Sequence, residues 1–176
     1  MMRFLIAFLV LLISPHAFAT GYDVFGIGIY DIKFDGKDTN EVIDYRYERR
    51  FDKSLINIGP EEDNFFYLKP FLGFEYTGDN ATYFITGVYI EEDFDEIIGR
   101  NKNLINFTPS FGFGYYDDGN GKKLGNNLEF RTSLEFSYNL KNKNRIGLSL
   151  SHISNANIGD KNPGVEIISL SYQVPY

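Results

Sequence analysis

Three residues near the C-terminus combine the side-chain types that acyl transfer requires: His152, Ser154 and Glu166. A serine hydroxyl is a weak nucleophile until a base accepts its proton. Imidazole is the side chain whose proton equilibrium normally falls near neutral pH. A carboxylate beside it fixes the tautomer and stabilises the imidazolium form. Two residues two apart on a strand share a face, about 6.6 Å apart at Cα, so His152 and Ser154 are within reach of one another there. Asn155 follows the serine directly and is a candidate donor to an oxyanion. Each residue alone has a bland reading. A histidine at a strand end often sits at headgroup level, a serine near a turn bonds its own backbone, and Glu166 reads as the first residue clear of a membrane. All three in one register, on facing ends of one hairpin, argue for chemistry.

The segments that carry them alternate with a period of two. Ile146, Leu148 and Leu150 oppose Gly147, Ser149 and Ser151, and the count continues through His152 and Ser154 on the apolar side. Ile168, Leu170, Tyr172 and Val174 oppose Ser169, Ser171 and Gln173, with Glu166 leading the apolar set. Similar patterns run through 25–29, 43–51, 68–76, 105–115 and 128–138. Residues 83–90 are strand-like, but their alternation assigns no faces. This periodicity marks strands with one apolar and one polar face. It predicts eight strands, the seventh over roughly 144–155 and the eighth over roughly 165–175, with no convincing helix among them.

The polar face holds Arg46, Glu48, Arg50, Glu129, Arg131 and Glu135 among many Gly and Ser. An eight-stranded barrel has an interior just wide enough for side chains, and small and charged residues suit that lumen as a plug. The other face is bulky and aromatic, as a lipid-facing band with aromatic girdles is. The fold class expected is therefore all-β, an eight-stranded antiparallel transmembrane β-barrel. Its C-terminal strand, ending on Tyr172, Val174 and Tyr176, looks like the signal read by the barrel-assembly machinery. An even strand number puts both termini on the periplasmic side, so the hairpin of His152, Ser154 and Glu166 turns at the cell surface.

The run His152-Ile153-Ser154-Asn155-Ala156-Asn157, followed by Asn162-Pro163-Gly164-Val165-Glu166, resembles the active-site run of the lipid A 3-O-deacylase (PagL) family. Leu124-Gly125, Glu129-Phe130-Arg131 and Arg145-Ile146-Gly147 look like that family too. The specific likeness covers about the last third of the chain. It implies an eight-stranded barrel with catalytic residues on the outer wall: His152 as base, Ser154 as nucleophile, Glu166 as third triad member and Asn155 at the oxyanion hole. The implied substrate is lipid A, the anchor of lipopolysaccharide, losing its ester-linked 3-O-acyl chain. No metal or cofactor is implied. Expected partners are that lipid and the outer-membrane lipid around it, and a homodimer is compatible with the sequence. The rivals are a non-enzymatic structural or adhesive barrel and a soluble lipocalin-like carrier.

The rest of the chain bounds these readings. Its 176 residues suffice for one domain. Arg3, the apolar stretch 4–13 and Ala17-Phe18-Ala19 read as a signal peptide over 1–19, leaving a barrel domain over 20–176 and a bacterial outer-membrane location. Ten apolar residues fall short of the roughly 20 that a spanning helix needs. The net charge of -7 argues against nucleic-acid binding. The acidic runs 61–63 and 91–96 read as solvated turns, as does Gly119 to Lys123, whose lysines could meet lipid phosphates. Arg131 and Glu135 read as a luminal plug network.

Overall fold

A computed structural model describes residues 20–33, 41–58 and 66–176. The expected signal peptide and the acidic run 61–63 lie outside the described residues. The strands are β1 (Gly21–Tyr30), β2 (Val42–Phe51), β3 (Ile56–Ile58), β4 (Phe66–Thr77), β5 (Thr82–Tyr89), β6 (Glu92–Asp93), β7 (Ile105–Asp117), β8 (Leu128–Asn139), β9 (Arg145–Ser154) and β10 (Val165–Pro175). One helical turn, α1 (Phe94–Ile97), follows β6.

Eight of these strands form the barrel wall, each antiparallel to its neighbours: β1, β2, β4, β5, β7, β8, β9 and β10. The first and last close the ring, with Tyr22 opposite Pro175 and Tyr30 opposite Ile167. Closure satisfies the backbone ladder of every wall strand and leaves no open edge, which a hydrocarbon environment demands. The expected eight-stranded antiparallel barrel is borne out. The start of β1 and the end of β10 lie at one rim, where the Tyr176 N–H donates to the Gly21 carbonyl at 3.1 Å. We call this the terminal rim. Residues 31–33 and the turns 78–81, 118–127 and 155–164 lie at the far rim.

Alternation decides what each face meets. In β9 every second residue from Arg145 to Ile153 is buried, whereas Ile146, Leu148, Leu150 and His152 are exposed. The outer wall is a belt of exposed apolar side chains from most of the barrel strands, with Phe84 60% and Leu170 57% exposed. Water-soluble monomers rarely show contiguous apolar patches beyond a few hundred Å², so this surface is built for lipid. The inverted pattern of a lipocalin-like carrier is absent from the described strands.

The lumen is filled with charge. Arg131 pairs with Glu48 and Glu75, and Glu48 also pairs with Arg50 at 2.9 Å. Glu135 accepts from Arg50 at 2.6 Å, Arg46 at 3.2 Å, Ser171 at 3.2 Å and Gln173 at 2.8 Å. Toward the far rim the filling turns aromatic: Tyr30 and Tyr116 share a hydrogen bond of 2.7 Å, and the Tyr83 hydroxyl donates to the Glu129 carbonyl. Ile153 and Val165, both wholly buried, pair across β9 and β10 and peg that hairpin from inside.

Two features go beyond or differ from the sequence reading. In β5, Tyr83, Ile85 and Tyr89 point into the lumen and Phe84 points out. Large apolar residues on both faces explain why no alternation was visible. The run 91–96 is a structured element rather than a solvated turn. Glu91 pairs with Arg145 at 2.6 Å, Asp93 caps α1, and buried Asp95 accepts the N–H groups of Leu104 and Ile105. Phe94 then packs edge-on against Phe136, a side chain of the outer wall.

Candidate active site

Two adjacent strands position the three chemical groups. His152 and Glu166 sit directly opposite one another in the β9–β10 ladder. Opposed residues have Cβ atoms about 4.5–5.5 Å apart, so side chains on the same face meet without distortion. His152 Nδ1 and Glu166 Oε1 are 3.1 Å apart, outside the barrel, with about half of each side chain still exposed. With Nδ1 carrying the proton, the ring donates to the carboxylate and leaves Nε2 free as a base.

Ser154 ends β9 on the same outward face, opposite Phe130 of β8. It shares a shallow groove of about 270 Å³ with His152, Phe111, Phe130, Thr132 and Ala156. Among the described residues its Oγ has no hydrogen-bond partner, so no bond to the imidazole exists in this conformation. Catalytic hydrogen bonds are often long in unliganded enzymes and tighten with substrate. The groove is walled largely by aromatic carbon and opens onto the lipid-facing surface, a shape that suits an acyl chain.

Gly164 backs the imidazole. Its φ is +60°, and a Cβ there would lie 2.8 Å from His152 Cε1. Gly164→Ala would strain the backbone and push the ring off Glu166. The expected result is about a 10²-fold lower rate, since displacements near 1 Å carry penalties of that order. Retained heat-modifiable gel mobility would show that the barrel still folds, and an unchanged rate would count against this placement of the ring.

Asn155 is placed differently from its neighbours. It is wholly buried and points inward, as the residue after an outward serine must. Its amide donates to the Leu124 carbonyl at 2.9 Å and the Lys161 carbonyl at 2.8 Å, while its own N–H donates to Asn162 Oδ1 at 3.0 Å. The structure thus brings His152, Ser154 and Glu166 together but turns the Asn155 side chain away from them. Asn155 instead fixes the turn after the serine, where Ala156 and Asn157 both adopt left-handed backbone. Counting by twos from Ser154 would have shown this in the sequence.

A closed eight-stranded antiparallel barrel with a belt of exposed apolar side chains on its outer wall is a transmembrane β-barrel. Residues 94–175 match the family model Lipid A 3-O-deacylase (PagL). The resemblance read from the hairpin motif is thereby borne out. A curated relative, "Lipid A deacylase PagL" of Bordetella bronchiseptica, is 41% identical over 51 residues, which is 29% of each chain. The match spans less than a third of that relative's length. Among solved structures, "Crystal structure of the outer membrane enzyme PagL" aligns with 89% of this chain and 100% of its own, at a TM-score of 0.65 and 18% identity. The Neisserial surface protein A (NspA) covers 88% and 97% at a TM-score of 0.51 and 10% identity. Both likenesses are of fold.

Proposed function

We propose that this protein is an outer-membrane serine esterase that removes the 3-O-linked acyl chain of lipid A. The observation that carries the reading is the His152–Glu166 contact of 3.1 Å on the lipid-facing wall, in one groove with Ser154. Ionisable groups on such a face are costly and are functional candidates by default. The family match over 94–175 and the curated relative supply the substrate class. The exposed apolar belt supports insertion in the outer membrane, with the far rim at the outer leaflet, after removal of residues 1–19 as a signal peptide.

In this reading His152 Nε2 accepts the Ser154 proton as Oγ attacks the acyl carbonyl. The imidazolium is stabilised by Glu166. Collapse of the tetrahedral intermediate releases the sugar hydroxyl, which takes the proton back from His152. Water, activated by the same base, then hydrolyses the acyl-enzyme to the free fatty acid. Asn155 serves the oxyanion by holding the turn that follows Ser154, not by donating from its own amide. The Ala156 N–H, which has no acceptor among the described residues, is the donor that this turn offers. The acyl chain stays against aromatic carbon throughout, so no desolvation of the chain is required.

The test is mass spectrometry of lipid A incubated with the purified barrel in detergent. The expected product is lipid A lighter by one 3-hydroxyacyl group, with the matching free hydroxy acid. An unchanged acylation pattern over lipid A species that carry a 3-O-acyl chain, with folded protein, would overturn the proposal.

A further inference from the structure

A second recess opens at the far rim, on the water side of the proposed nucleophile. It has a volume of about 240 Å³ and is lined by Tyr116, Asp118, Lys123, Gly125, Asn126 and Lys161, among others. That is many times the roughly 30 Å³ share of one water molecule. Lys123 and Lys161 are exposed and form no ion pair among the described residues, unlike Lys122, which is engaged with Asp31 at 2.5 Å. Asp118 lines the same recess without a salt bridge, so the site carries two ammonium groups against one carboxylate. Gly125 allows the close packing of its two walls: its φ is +101°, and a Cβ there would overlap the Lys161 carbonyl.

The recess is mechanically joined to the candidate active site. The Asn155 amide holds the Leu124 and Lys161 carbonyls, one from each wall. The residue that follows Ser154 therefore fixes both the turn after the serine and the walls of the basic recess. From the hairpin's end, one recess faces hydrocarbon and the other faces water and is cationic. An amphiphile spanning both would place an apolar chain in the first and an anionic group in the second.

We propose that the recess between Lys123 and Lys161 binds a phosphate group of the glycolipid substrate's headgroup, and so sets which ester reaches Ser154. This rests on the esterase reading above. A phosphate accepts several charge-assisted hydrogen bonds from lysines, and it lies at the headgroup depth that the far-rim turns occupy. The phosphate could belong to the lipid being cleaved or to a neighbouring lipid.

The experiment compares kcat/KM for phosphorylated lipid A and for the same lipid A dephosphorylated enzymatically, in detergent. Wild type is expected to favour the phosphorylated lipid by roughly tenfold or more, the scale of one charge-assisted contact. In Lys123→Ala/Lys161→Ala that ratio should fall to about one, and in Lys123→Glu/Lys161→Glu below one. An equal ratio in wild type and both variants overturns the proposal. Adding a non-hydrolysable phospholipid anion to the dephosphorylated substrate separates the sources: restoration of the wild-type rate assigns the phosphate to a neighbour. The second arm does not need catalysis. Glucosamine 1-phosphate is titrated against the isotope-labelled full-length barrel, reading the amide resonances of Lys123 to Asn127 and Lys161. Saturable shifts in these, lost in the double alanine variant, support the site even if no lipid is cleaved. Their absence overturns it even if lipid A is cleaved.

Discussion

Ser154→Ala is expected to lower kcat for acyl release by about 10⁴-fold or more while leaving the barrel folded. The magnitude follows from what the hydroxyl does: without it no acyl-enzyme forms, and only binding and oxyanion stabilisation remain to assist water. The hydroxyl contributes little to the fold, because it faces outward and has no hydrogen-bond partner among the described residues. Substitution at His152 should be nearly as severe. Glu166→Gln should cost less, roughly 10²- to 10⁴-fold, because the ring keeps a hydrogen-bond partner but loses the charge that stabilises imidazolium. Residues acting as one unit are not additive, so His152→Ala/Ser154→Ala should be no slower than the serine variant alone. Single-turnover release of hydroxy acid, read by mass spectrometry, checks all four. A Ser154→Ala protein within tenfold of wild type would remove serine from the nucleophile's role.

The largest effect on stability is expected from Arg131→Met. Arg131 is wholly buried and is the ion-pair partner of both Glu75 and Glu48. Glu48 keeps Arg50 at 2.9 Å and Arg46 at 3.8 Å, but Glu75 has no other salt bridge among the described residues. Breaking a buried pair from one side leaves an uncompensated charge and costs about 3–5 kcal/mol. Replacing the pair together, as Arg131→Met/Glu75→Leu, should recover more than half of that, because desolvation of both charges is then avoided. Urea unfolding in detergent, followed by circular dichroism or by gel mobility without boiling, gives the midpoints; the chain has no tryptophan to report by fluorescence. A single variant as stable as wild type would show that the network carries no net weight.

The barrel was legible in the sequence wherever one face is apolar and the other small or charged. β8 is the clearest case, because Leu128, Leu134, Phe136 and Tyr138 are exposed while Glu129, Arg131, Ser133 and Glu135 are buried. The period-two count placed β10 at its observed bounds and β9 within a residue at each end. It failed in β5, where Tyr83, Ile85 and Tyr89 fill the lumen with the same residue types that face lipid elsewhere. It could not foresee that 92–98 folds back onto the outer wall, because one helical turn leaves no periodicity. At the candidate site, residue type and register brought His152 and Glu166 together. The motif left open how Asn155 would serve an oxyanion, and only the structure shows its side-chain amide engaged with the Leu124 and Lys161 carbonyls. The basic recess was invisible for a different reason. It is built from turns 118–127 and 155–164, whose meeting depends on the Asn155 amide and on no local pattern.

The packed interior has a consequence for the cell. Guanidinium and carboxylate groups occupy the barrel's axis from Arg50 to Glu75, and tyrosines close it above them. Among the described residues, this filling opposes the passage of ions and small solutes through the lumen. A membrane could carry many copies of such a barrel without losing its permeability barrier.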